Sequence, residues 1–175
     1  MAGSAAHLFH RFFDVLFARP LEEAERDDVA RWLTPPLAGL FFSQPVADQR
    51  HAYEAAQIVI DRGGAFDDAV VAALTHDVAK RHARMGIVGR TLTSILMKAG
   101  VRLSDRMTAY RDHGQVGATE LLDAGAPRLA VDFARHHHGM RPTSIPEEVW
   151  DVLMTADQPP KAWASLRRRI SSHRE

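Results

Sequence analysis

Cysteine is absent from the chain, and with it go disulfide bridges, thiolate nucleophiles and every zinc site built on sulfur. A surplus of either charge is absent too. Basic residues number 22 and acidic residues 22, so net charge gives no argument for nucleic acid or an acidic membrane surface as partner. No apolar run approaches the roughly 20 residues of a membrane span. The amino terminus has no basic patch leading into an apolar stretch and a small-residue cleavage site, so no signal peptide is expected and a cytoplasmic location is the expectation. Internal repeats, low-complexity segments and the alternating pattern of strands are missing as well. At 175 residues the chain suffices for one domain with a real core and is short for two. What it has in unusual number is histidine, ten in all.

Apolar residues recur at helical spacing in one segment after another, and proline and glycine punctuate them. An amphipathic helix is predicted over residues 5–18, rich in phenylalanine and carrying His7 and His10 as surface or edge histidines. Pro20 is predicted to start a second helix with an acidic first turn, ending before Pro35-Pro36, and Leu37 to Phe42 reads as a short apolar connector. Further helices are predicted over 46–61 (stopped by Gly63-Gly64), from Asp67 or Asp68 through His76 and Asp77, over 87–99, over 113–125, from Pro127 to the histidine triplet, and from Pro146 to Asp157. Asp105 to Arg111 is a short helix or a turn, and the basic tail 161–175 a surface helix. The expected fold class is all-α, a bundle of about eight helices. Residues 1–43 would form an N-terminal extension, 44–160 the principal domain and 161–175 the tail.

The informative residues are polar ones on apolar faces. Val70, Ala73, Leu74 and Asp77 share one helical stripe, and a carboxylate there is costly unless paired, hydrogen-bonded or bound to a metal. His76 precedes it. His51 points with Ala55, Ile58 and Val59, His113 with Gly117 and Leu121, and Asp157 completes a stripe with Trp150, Leu153 and Met154. Of the run His136-His137-His138, two neighbours can converge on one point while the third sits at its edge. Gly117, in a helix interior, implies another backbone passing close by. Five helices thus each offer inward metal-capable groups. Nitrogen and carboxylate ligands without sulfur suit iron, manganese, cobalt, nickel or zinc, and fit a calcium cage poorly. Seven candidates exceed one tetrahedral ion and match two ions about 3.5–4 Å apart sharing a carboxylate, for which Asp77 is the natural bridge. Lys80 reads either as a phosphate-binding group or as a helix-end cation answering the dipole. The basic run Arg81, His82, Arg84 reads as a solvated helix end that could help hold an anion.

The order H…HD…H…HH…D, carried by D-Q-R-H-A at His51, T-H-D-V-A-K at His76 to Lys80, H-G-Q-V-G-A-T-E-L-L at His113, A-R-H-H-H-G at His136 to His138 and A-D-Q at Asp157, resembles the HD superfamily of metal-dependent phosphohydrolases. Its closest likeness is to the binuclear members, which include the HD-GYP cyclic-dinucleotide phosphodiesterases. The resemblance covers about residues 44–160 and implies an all-helical fold. It implies that His51, His76, Asp77 and Asp157 hold one metal and Asp77, His113, His137 and His138 a second, two divalent transition ions with iron or manganese favoured. Lys80 matches the lysine of HDxxK and would hold a substrate phosphate; with Asp77 it is the expected catalytic pair. His136 would stand beside the ligands, and Arg81 and Arg141 could supplement substrate binding. After His138 the chain reads G-M-R-P-T-S-I-P, with no trace of the D-G-x-G-Y-P of the HD-GYP group, so cyclic-di-GMP is not the implied substrate.

The expected activity is hydrolysis of a phosphomonoester or phosphodiester, on a nucleotide or another small phosphorylated substrate, by a metal-activated water. Two alternatives use nearly the same ligand set: a mixed-valent di-iron oxygenase of the same superfamily, and a non-catalytic metal-containing regulatory domain.

Overall fold

A computed structural model describes residues 18–62, 67–98 and 100–158. Most of the first expected helix, the Gly63-Gly64 stop and the basic tail lie outside the described residues. Among these there are nine α-helices, one 3-10 helix and no strand, an all-α architecture. The helices are α1 (Glu23–Trp32), α2 (Pro35–Phe42), α3 (Val46–Asp61), α4 (Asp67–Thr75), α5 (Ile87–Lys98), α6 (Asp105–Arg111), α7 (His113–Asp123), α8 (Arg128–His136) and α9 (Glu147–Asp157), with the 3-10 helix at Val78–Ala83. None of them is long and apolar enough to cross a membrane.

The prolines do what their fixed φ and missing N–H dictate. Pro45, Pro127 and Pro146 each stand as the N-cap of α3, α8 and α9 in an extended conformation. Helix α1 begins three residues after Pro20, because Glu22 and Glu25 form a reciprocal capping box there and Leu21 is buried as an anchor. The Pro35-Pro36 pair both bars α1 from continuing and occupies the first turn of α2. The apolar connector expected at Leu37 to Phe42 is therefore a helix. Its residues are apolar all round, so no amphipathic period marks it, and Leu37 and Phe41 are fully buried. Asp105 to Arg111 is likewise helical.

At the centre lies α4. Every residue from Ala69 to Thr75 is buried, as a helix surrounded on all sides requires, and α1, α2, α3, α8 and α9 all pack on it. Each fully buried Leu or Val here contributes about 1.5–3 kcal/mol. The α-helix ends at Thr75, two residues short of the expected run through His76 and Asp77. His76 and Asp77 occupy a turn, and the chain continues as the 3-10 helix. Both side chains therefore emerge where the core helix stops, still almost wholly buried.

Helices α7 and α8 are packed closely, and the reason is a glycine other than the one the sequence singled out. A Cβ on Gly114 would lie 2.8 Å from the Ala134 carbonyl oxygen, whereas one on Gly117 would meet Ala79 at an ordinary 3.5 Å. A backbone does pass at Gly117, the Ala79 nitrogen lying 3.8 Å from such a Cβ, but at ordinary contact distance, and the tight approach is a turn earlier. At the other end of α7, Gly125 adopts φ +75° and turns the chain toward α8.

Candidate metal centre

Two groups of side chains converge where α3, α4, α7, α8 and α9 end or cross. In one, His51, His76, Asp77 and Asp157 each offer an atom within 4.8 Å of the others; in the other, Asp77, His113, His137 and His138 do the same. Asp77 belongs to both. Its Oδ1 lies 3.2 Å from His113 Nε2 and 3.4 Å from His137 Nε2, and its Oδ2 lies 3.4 Å from His76 Nε2. Asp157 Oδ1 is 3.1 Å from His51 Nε2 and 3.3 Å from His76 Nε2. His138 Nε2 sits 3.1 Å from His113 Nε2.

The tautomers follow from local backbone. His76 Nδ1–H donates to the Ala73 carbonyl at 3.0 Å, His113 Nδ1–H to Tyr110 at 2.5 Å and His137 Nδ1–H to Ala134 at 2.9 Å. Each donation goes back three residues to a carbonyl at a helix end, where acceptors are left over. A neutral imidazole that donates from Nδ1 keeps a lone pair on Nε2. Three such lone pairs point at a carboxylate that also has only lone pairs to offer. Asp77 Oδ1 and His137 Nε2 are buried and without a hydrogen-bond partner, which is costly in a low-dielectric interior. A proton or a cation between them resolves the conflict, and the donor set of nitrogens and carboxylate oxygens fits a divalent transition ion. These buried groups could therefore hold metal ions.

The charges agree with this. Burial opposes the charge of Asp77, but His76 and the buried Lys80 ammonium outweigh it and hold the carboxyl well below its usual range. Asp157 is likewise held well below, against its burial, by His51 and His76. Burial would push His76 down, yet the Asp77 charge and hydrogen bonds to Asp157 and Asp77 raise it to about 10. Burial pushes His137 down; His138 goes to about 3, first through desolvation of its nitrogens and then through repulsion by His137 and His113. So without a cation the two carboxylates draw a proton onto His76, whereas an imidazole must give up the proton on the nitrogen that takes a metal. Cation binding is therefore expected to release about one proton from His76, and affinity is expected to fall about tenfold per pH unit on going from pH 8.5 to 6. Competition with a chelator of known affinity measures this, and a flat profile would contradict the proton assignment. The linkage has a stability counterpart in chelator-treated protein. The raised His76 contributes fully below 6.5 and is lost as pH rises toward about 10, while the lowered aspartates contribute fully above 3.8 and are lost as pH falls. The lowered His137 and His138 act the other way, because unfolding lets them take up protons below 6.5; melting temperature should accordingly peak near pH 6.5 and fall on either side.

Phe133 forms the floor, its ring centroid 5.8 Å from that of His76 and 5.7 Å from that of His137. The opening lies at His51, half-buried, and His138, the exposed member. Lys80 is 5% exposed and ion-paired with Asp77. The remaining expected residues are bonded elsewhere. Arg81 forks onto Glu120 at 2.9 and 3.0 Å, and Arg141 donates to the Ile145 carbonyl at 2.8 Å. His136 is half-buried and in neither group. The sequence reading missed a buried ion pair beside the site: Asp48, one helical turn before His51, takes Arg90 of α5 in a two-point grip at 2.5 and 2.7 Å. A carboxylate three residues ahead of His51 on the same face was the available signal.

The fold and the cluster define the class no further than a helical protein with a potential metal site. No family model, no curated protein and no solved structure matches the chain.

Proposed function

We propose that this protein is a metal-dependent phosphohydrolase, a phosphomonoesterase or phosphodiesterase acting on a nucleotide or another small phosphate ester. The observation that carries the reading is Asp77, one carboxylate shared by two histidine-rich groups. Its support from sequence is the ordered resemblance to the binuclear HD-type hydrolases set out above. His51, His76 and Asp157 would hold one ion, His113, His137 and His138 the other, and Asp77 both. Divalent ions held there would supply a water of lowered pKa and neutralise phosphate charge.

The chain supplies the rest. The Nδ1–H donations fix the three buried imidazoles in tautomer and orientation, so the basic nitrogens face inward before substrate arrives. Lys80 holds Asp77 from the side and adds a positive charge at depth, favouring phosphate oxygens over neutral substrates. Phe133 and the walls of α4 and α8 exclude water below, while the exposed His138 leaves the upper side accessible.

The test is elemental analysis of protein purified without chelator, followed by a panel of phosphomonoesters and phosphodiesters assayed with the metal found. Two metals per chain and turnover of a phosphate ester are expected. Oxygen consumption by an iron-loaded form without phosphate release would instead select the oxygenase, and neither activity in fully loaded protein would overturn catalysis.

A further inference from the structure

A cleft of about 740 Å³ lies apart from the metal centre, lined by Ser43, Arg81, His82, Arg84 and Arg106. None of the seven clustered histidines and aspartates lines it. The separation follows from the 3-10 helix, where residues three apart share a face. Lys80 and Ala83 face inward and are buried, while Arg81 and Arg84 share another face and line the cleft.

The cleft is positive in a way surface charge usually is not. Among the described residues, the carboxylate bonded to its lining is Glu120, which holds both Arg81 and His82. Three guanidiniums against one carboxylate leave two positive charges in a concavity. Arg106 is spent on no acid. Its guanidinium donates to the backbone carbonyls of Ala83 and Arg84 and is thereby held in place. Arg84 adopts φ 46°, ψ 42°, the left-handed conformation that disfavours a side chain with a Cβ. Glycine would be at ease there, so a solvated arginine is a poor choice unless its charge is used. Planar guanidiniums lining one volume, two of them held by hydrogen bonds, match the tetrahedral oxygens of a phosphate group, and every lining residue brings a polar or charged group to it.

We propose that this cleft is a second anion-binding site, taking the phosphate or pyrophosphate group of a small ligand independently of the metal centre. Since Arg81 and Arg84 ride on the turn that carries Lys80, occupancy of the cleft bears directly on the turn that positions Lys80 against Asp77.

Calorimetric titration of the full chain with pyrophosphate tests this, on protein as purified and on chelator-treated protein at one fixed ionic strength. The cleft predicts that binding survives chelation and that the double variant Arg84→Gly, Arg106→Ala weakens it at least tenfold. Arg84→Gly alone should weaken it severalfold while leaving the melting temperature equal or higher, because glycine accepts the left-handed backbone. Acetate should fail to displace pyrophosphate. Loss of all binding on chelation, wild-type affinity in either variant, or displacement by acetate would overturn the proposal. None of these results depends on whether the metal centre hydrolyses anything.

Discussion

Asp77→Asn is expected to lose metal and the proposed phosphohydrolase activity together while keeping its helical circular dichroism. The substitution is nearly isosteric, but it removes the anion shared by both groups and replaces one oxygen with an NH2 that can donate to the orphaned His137 Nε2. The backbone is kept at the cost of the Lys80 ion pair, while the anion shared by the two groups disappears. Activity should fall by more than about a hundredfold, the loss that even supporting groups around a metal can bring. The sharper readout is thermal. Metal at 1,000 times its dissociation constant stabilises by about 4 kcal/mol, which for a chain of this size is roughly 10 °C. Wild-type protein should lose that margin on chelation and Asp77→Asn should show no response. A variant whose melting temperature still drops with chelator would remove Asp77 from the centre.

The second large effect separates two glycines a turn apart. Gly114→Ala places a Cβ 2.8 Å from a main-chain oxygen of α8, which must move because backbone cannot rotate away. Overpacking of this kind costs about 1–3 kcal/mol, more than the ~1 kcal/mol that alanine gains in helix propensity. Helix α7 is displaced and carries His113 with it, so one metal per chain should be lost or held weakly. Gly117→Ala meets only ordinary contact and should gain up to about 1 kcal/mol. Opposite signs in urea denaturation, with metal content falling for Gly114→Ala alone, are the expected pattern. Equal stability and full metal content in both would mean that α7 and α8 are not seated as described.

These contrasts mark what the sequence could and could not disclose. The all-α class was legible because proline at 45, 127 and 146 and apolar stripes state helix starts and faces directly. His51, Asp77, His113 and Asp157 stood out as polar groups on apolar stripes and His76 as the neighbour of Asp77, whereas the choice of His137 and His138 from the triplet came from the resemblance to the HD hydrolases. That they meet is visible only in three dimensions. Helix α2 was hidden because apolar residues on every side erase the period, although only Leu37 and Phe41 are buried. Asp48 was readable as a carboxylate on the His51 face, but Arg90 lies 42 residues away, and a pair formed by folding leaves no local sign of which cation answers it. Arg81 was grouped with Lys80 by adjacency, yet a 3-10 turn sends neighbours to different faces, and its guanidinium went to Glu120.

The imidazole orientations at His76, His113 and His137 are each settled by an oxygen of the main chain three residues back. The Tyr110 ring lies 5.7 Å from that of His113 and packs against it, whereas the side chains at 73 and 134 play no part in that choice, so those two positions can drift within the limits of size without disturbing the ring above them. It also means that capturing an ion demands no ring flip and no change of tautomer at these three positions. Loading should therefore proceed at a rate governed by access past His51 and His138 and by departure of the His76 proton, with little slow annealing afterwards.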